Sequence, residues 1–186
     1  MAVQNVNKLP FQNVNAEIRT IFGQYYGSTR EKGVKLRPVN GQGQVISSTV
    51  YSMVDGTILE KHLNDGTYGN YIIIKDNNSS NAFLYGGLYN ILVNVNDTVT
   101  NHQSLASVST ALELQIQNIT TSWYYSSNIS DYINPADWIP YTEIVGDTLY
   151  YSYTPPTPPP PPPPPPTTKR SKFPWVLYAE KFRNRY

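Results

Sequence analysis

His62 and His102 are the only two imidazoles in this chain, and it has no cysteine. General acid–base and nucleophilic chemistry near neutral pH runs most often through a histidine or a thiolate, so reactive groups are few. Both histidines fall in stretches read as loops, and they are read as ordinary surface residues. No Gly-x-Ser-x-Gly elbow raises a serine for attack on a carbonyl. Gly41-Gln42-Gly43 lacks the third glycine and the following helix of a phosphate-binding loop. Asp55 and Glu60 are nearby carboxylates, but Asp55 is more simply a turn residue. Without cysteine there is no disulfide framework and no thiolate metal site, and no cofactor is expected. Binding groups are more plentiful. Tyr25-Tyr26, Trp123-Tyr124-Tyr125 and Tyr150-Tyr151 offer aromatic faces to a sugar ring or, as the preferred reading, to another protein.

The elements that must carry these groups are strands. Short alternating or apolar runs recur between residues 30 and 120, separated by Asn, Asp, Gly and Ser. Residues 45–54 read as a strand, Asp55-Gly56 as a tight turn, and Thr57-Ile58-Leu59 as the returning strand. Asn64-Asp65-Gly66 is a second turn signal ahead of an Ile-rich strand over 71–75. Further strands are expected at 82–85, 105–108 and 112–117. Residues 14–21 suit either a short helix or an edge strand, and 24–30 read as a loop. Residues 131–140 read as a compact helical turn with Pro135 near its start. Residues 142–153 are expected to add a strand outside the main sheet. The expected fold is mainly β: a single antiparallel sheet-rich domain with few short helices.

Composition divides the chain. Pro158 to Pro166 are nine consecutive prolines. Proline fixes φ and donates no backbone hydrogen bond, so this run is read as polyproline II spanning roughly 28 Å at ~3.1 Å per residue. Beyond it, residues 169–186 hold six basic residues and one acid. On a helix, Trp175, Tyr178, Ala179 and Phe182 share one face. Eighteen residues cannot bury a core alone, so this segment is read as a docking peptide. Phe173, Trp175, Val176, Leu177, Tyr178, Phe182 and Arg183 are its expected contacts. The organisation is thus a lead-in at 1–20, a β domain at 21–153, a linker at 154–168 and a peptide at 169–186. A formal net charge of +1 argues against general nucleic-acid binding. No apolar run approaches membrane-spanning length, and the first ten residues lack the apolar stretch of a signal peptide.

In order, the pieces resemble the lysostaphin-type (LytM-like) zinc endopeptidases that cut peptidoglycan cross-bridges. Phe22-Gly23 is followed by Glu31-Lys32-Gly33-Val34-Lys35, Asp55-Gly56-Thr57-Ile58 and Tyr68-Gly69-Asn70-Tyr71. Tyr85-Gly86-Gly87-Leu88, Val95-Asn96-Asp97-Thr98-Val99, Ala111-Leu112-Glu113 and Asn134-Pro135 complete the series. The resemblance covers about residues 20–140. It implies that the family's three zinc-ligand positions hold Glu31, Lys35 and Glu113, and that its catalytic histidine positions hold Gly87 and Ala111. A catalytic zinc needs three protein ligands and an open position, and lysine is a cation at neutral pH. If the fold holds, one reading has Lys35 between the two carboxylates within about 4 Å, in the place of the metal, and the other has the three side chains solvated and unrelated.

The expectation is therefore a non-enzyme: an inactivated endopeptidase fold serving as a structural component of a bacteriophage particle, at its tail or baseplate. Charged residues are only 15% of the chain, and a polar, weakly charged, Asn- and Tyr-rich surface suits packing among other proteins. Expected partners are other structural proteins in a hetero-oligomeric assembly, reached through residues 169–186, with no nucleic acid and no membrane. The expected location is the virion, after synthesis in a host cytoplasm. The alternative is a cell-wall module that binds peptidoglycan or glycan without hydrolysing it.

Overall fold

A computed structural model describes residues 10–12, 14–26, 28–119, 122–139 and 148–149. The chain divides into Met1–Tyr153 and Thr154–Tyr186, and all described residues belong to the first unit. The polyproline run, the docking peptide and the Tyr150-Tyr151 pair lie outside the described residues.

Strands dominate, in chain order β1 (Asn15–Thr20), β2 (Tyr25–Tyr26), β3 (Thr29–Arg30), β4 (Gly33–Val39), β5 (Ser48–Tyr51), β6 (Gly56–Asp65) and β7 (Gly69–Asp76). They continue as β8 (Asn81–Gly86), β9 (Thr98–Val99), β10 (Ser104–Val108), β11 (Leu112–Asn118), β12 (Tyr132–Ile133) and β13 (Thr148–Leu149). Nine of them form one sheet in the order β13-β1-β4-β11-β8-β7-β6-β9, with β12 also paired to β11. The strand pairs are antiparallel. Two small sheets, β5 with β10 and β2 with β3, accompany it.

The sheet is covered on both faces because its central strands are apolar on both. In β7, Ile72 and Ile74 point to the larger core with Phe83, Tyr85, Leu112 and Leu114. Val50, Leu105 and Val108 of the β5–β10 pair complete that layer. Tyr71 and Ile73 point the other way, to a smaller core closed by Trp123 and Tyr132. Period-two alternation in a doubly covered sheet gives this near-continuous apolar run. On β11 the alternation is clean: Leu112, Leu114 and Ile116 enter the larger core, which leaves Glu113, Gln115 and Gln117 on the opposite face.

Several local expectations change. Of the two readings of residues 14–21, the strand holds: β1 (Asn15–Thr20) forms, but between β4 and β13 rather than at an edge. The main sheet thus starts ahead of the boundary set at residue 21, because Ala16 and Ile18 reach the core. The Asp55-Gly56 hairpin does not form. β5 pairs with β10, and β6 pairs with β7 and β9. Gly56 serves close approach instead: a Cβ there would lie 2.5 Å from the Lys75 carbonyl oxygen. His62 lies in a strand, since β6 runs on to Asp65. The stretch read as a loop at 24–30 contains the β2–β3 hairpin. The helical turn expected within residues 131–140 is the short 3-10 helix Pro135–Asp137, with Pro135 at its start and Asn134 capping it, and a second, Ile129–Asp131, lies on the other side of β12. β13 joins the edge of the main sheet rather than standing outside it.

Candidate functional site

Register builds the site. β4 and β11 pair so that Lys35 stands opposite Glu113. On the other side of β11, Gly86 stands opposite the same glutamate. Glu31 lies four residues before Lys35, at the turn leaving β3. Cross-strand neighbours place side chains within reach, and the Lys35 Nζ lies 3.0 Å from Glu31 Oε1 and 3.7 Å from Glu113 Oε2. The structure thus brings together Glu31, Lys35 and Glu113. The Glu31 and Glu113 side chains are each 14% exposed and that of Lys35 is 35% exposed. Gln115, buried beside them, donates its amide to Glu113 Oε1 at 2.6 Å.

The electrostatics of the three are coupled. Burial works against the Lys35 charge, but Glu113 and Glu31 outweigh it and hold its pKa above 10.5. Burial dominates at Glu113 and raises its pKa above 4.5, against the pull of Lys35 and Gln115. The two directions differ for a physical reason. Lys35 is shared by two carboxylates, whereas Glu113 sits deeper and also feels the like charge of Glu31. An ammonium clamped between carboxylates offers no lone pair to a metal. Among the described residues no three His, Cys, Asp or Glu side chains converge as metal ligands. The residues present do not fit a zinc ion.

The positions matched to catalytic histidines are equally informative. Gly87 has φ +76°, and a Cβ there would lie 2.5 Å from the Ala111 carbonyl oxygen. No L-side chain enters that position without moving backbone. Ala111 is half-buried and lines a cavity of about 580 Å³ together with Thr20, Glu31 and Lys35. A second cavity of about 190 Å³ is lined by Arg30, Lys32, Tyr68, Glu113 and Gln115, and it too includes Glu31 and Lys35. The two cavities share the Lys35–Glu31 pair and together make one cleft.

Tyr68 and Gln115 are cleft residues to which the motif reading gives no role, although Tyr68 opens one of its pieces. Burial pushes the Tyr68 hydroxyl up to about 12, which keeps the phenol neutral. Its ring also heads an aromatic row: Tyr71 meets it edge-on at 5.7 Å, and Tyr125 stacks at 6.2 Å. His62 stacks on Tyr71 at 4.6 Å and meets Glu60 at 3.1 Å. Alternation signals Gln115, since it is two residues from Glu113 on one strand face. The row needed the full length of β6. His102 lies at the other end of the sheet's connections, in a turn with φ +66°, bonded to Gln12 at 2.9 Å.

The sheet order, the β4–β11 cleft and its polar wall define an antiparallel β fold of the lysostaphin type. Residues 29–135 match the profile of Peptidase family M23, and the chain belongs to that family. The catalytic domain of lysostaphin from Staphylococcus simulans superposes with a TM-score of 0.53 at 20% identity, covering 66% of this chain and 91% of that one. Whole lysostaphin gives 0.54 at 19% identity and covers 74% of this chain, which spans 52% of the larger protein. A chain from the complex of SpoIIIAH and SpoIIQ gives 0.53 at 15% identity, covering 70% of this chain and 98% of that one. At these identities the likeness is one of fold. No curated protein sequence matches the chain.

Proposed function

We propose that this M23 domain is non-catalytic and serves as a structural component of a bacteriophage particle, in its tail or baseplate, anchored to a partner protein through residues 169–186. One observation carries the non-catalytic part. The Lys35 ammonium stands between Glu31 and Glu113 at 3.0 and 3.7 Å, where the resemblance puts the zinc. The closed backbone at Gly87 supports it, because no acid or base can be presented there. Low charge, an Asn- and Tyr-rich composition and the basic aromatic peptide support the assembly role. A chain of similar fold occurs in the complex of SpoIIIAH and SpoIIQ, so the fold is compatible with protein–protein assembly.

The test has two parts. The purified full chain is expected to hold no stoichiometric zinc by elemental analysis and to leave cell-wall suspensions turbid. Stoichiometric metal with clearing overturns the reading. Cross-linking of the native assembly is expected to join residues 169–186 to a second protein, and a monomer with no such cross-link removes the assembly role. The persistence of the cleft favours one other reading, a peptidoglycan-binding module without hydrolysis. Co-sedimentation with purified peptidoglycan is its measurement.

A further inference from the structure

Cations are not spread evenly over the body of this protein. Residues 1–168 contain eight Lys and Arg. Five of them, Arg19, Arg30, Lys32, Lys35 and Arg37, line the two halves of the cleft. Facing them are Glu31 and Glu113 in the cleft, and Glu17, which pairs with both Arg19 and Arg37. The cleft therefore keeps a surplus of two positive charges, while the rest of residues 1–168 holds nine acids against Lys8, Lys61 and Lys75. A cationic cleft on an otherwise acidic body concentrates anions.

The surplus has a definite location. Among the described residues, Arg30 and Lys32 have no carboxylate partner. Aromatic rings hold them instead. Arg30 lies 4.7 Å from the centre of the Tyr25 ring and donates to the Tyr25 hydroxyl at 2.6 Å. Lys32 lies 5.5 Å from the centre of the Tyr132 ring. Cations held over aromatic faces keep their charge for a ligand. Below them, Gln115 Oε1 is buried without a partner, and in the adjoining cavity so is Thr20 Oγ1. Buried polar atoms in native proteins are nearly always paired, so the Gln115 oxygen and the Thr20 hydroxyl are open to a hydrogen-bonding ligand, beside the Tyr68 hydroxyl that already bonds the Gln115 side chain. The Tyr68 ring forms part of the same wall.

We propose that the cleft binds an acidic saccharide, with its carboxylate or phosphate between Arg30 and Lys32, hydroxyl donors on Gln115 and Thr20, and one ring face against Tyr68. Anionic charge alone suits many ligands. The orphaned acceptor on the floor calls for hydroxyl or amide donors, and the tyrosine wall favours a ring with an apolar face. The cavity of about 190 Å³ accommodates one sugar residue at a time. This inference rests on a cleft without zinc, and zinc content tests that premise separately from saccharide binding.

Isothermal titration of the full chain with tetragalacturonate tests it, with maltotetraose, tetraglutamate and tripolyphosphate as comparison ligands. Tetragalacturonate is expected to bind and to weaken as salt screens the charges, and maltotetraose is expected not to bind. The Arg30→Ala/Lys32→Ala variant is expected to lose at least about tenfold in affinity, roughly 1.4 kcal/mol, with an unchanged thermal midpoint. Tyr68→Leu is expected to weaken the saccharide but not tripolyphosphate. Tetraglutamate binding as tightly as tetragalacturonate makes this an acidic-peptide site and overturns the proposal. No binding by the native chain overturns it as well. So does retained affinity in the Arg30→Ala/Lys32→Ala variant when Lys169→Ala/Arg170→Ala abolishes binding.

Discussion

Tyr85 opens the Tyr85-Gly86-Gly87-Leu88 motif, and its hydroxyl, fully buried, accepts the Met53 backbone N–H at 3.0 Å. Tyr85→Phe keeps the ring but strands that donor, at a cost of about 1–3 kcal/mol. Urea denaturation measures it, and a loss near zero would show that the amide finds another acceptor. Other polar residues of the matched motifs also work on backbone. Asn70 donates to the Leu88 carbonyl at 2.8 Å and accepts the Asn64 N–H at 2.9 Å. Asp97 accepts the Asn94 N–H at 2.7 Å. The motif side chains that remain are those that fasten turns. The positions that would carry chemistry hold Glu31, Lys35, Gly87, Ala111 and Glu113. The proposed loss of the reaction therefore leaves motif order and fold in place.

Between elements, the β1–β4–β11 edge is fastened by charge. Glu17 on β1 stands opposite Arg37 on β4 and accepts from its Nε at 2.8 Å. Burial opposes the Glu17 charge, but hydrogen bonds from Arg37 and Arg19, with their charges, hold its pKa below 4.5. A depressed carboxylate contributes stability above its unfolded pKa, and that contribution is lost as pH falls through the folded value. Glu17→Gln is thus expected to flatten the loss of stability below about pH 4.5, measured as unfolding free energy against pH. Glu113 has the opposite sign. Its raised pKa favours the folded state below 4.5, an advantage that fades as pH rises through the folded value. The two glutamates flank β4 yet push the acid limb in opposite directions, because one is held by two arginines and the other is the more deeply desolvated.

For the molecule as a whole, the proposed separation of fold from reaction is open to a direct test. Glu31→His, Lys35→Asp and Glu113→His together would restore the ligand types that the resemblance assigns to these positions. This variant is expected to take up about one zinc per chain, read by elemental analysis, and still to leave cell walls intact, because Gly87 admits no side chain. Clearing activity in it would show that the backbone at Gly87 moves.

The sequence alone was sufficient for the β class, for the Ile-rich centre of β7 and for the strand that carries Glu113. Period two and turn chemistry are local properties, and they specify such elements directly. The order of matched pieces also put Glu31, Lys35 and Glu113 at one site, since register carries a motif's spacing into space. Partner choice was not legible. Asp55-Gly56 looks like a hairpin turn, yet β5 leaves for β10, because burial of Val50 against Leu105 and Val108 is non-local. His62 looked like a loop residue because the outer half of β6 is exposed and gives no apolar signal. What only the tertiary structure decided was the cleft itself: which cations gather there, which polar atoms are left buried without partners, and why Gly87 is closed. Each of these depends on atoms brought together from distant parts of the chain, and local sequence pattern does not encode that proximity.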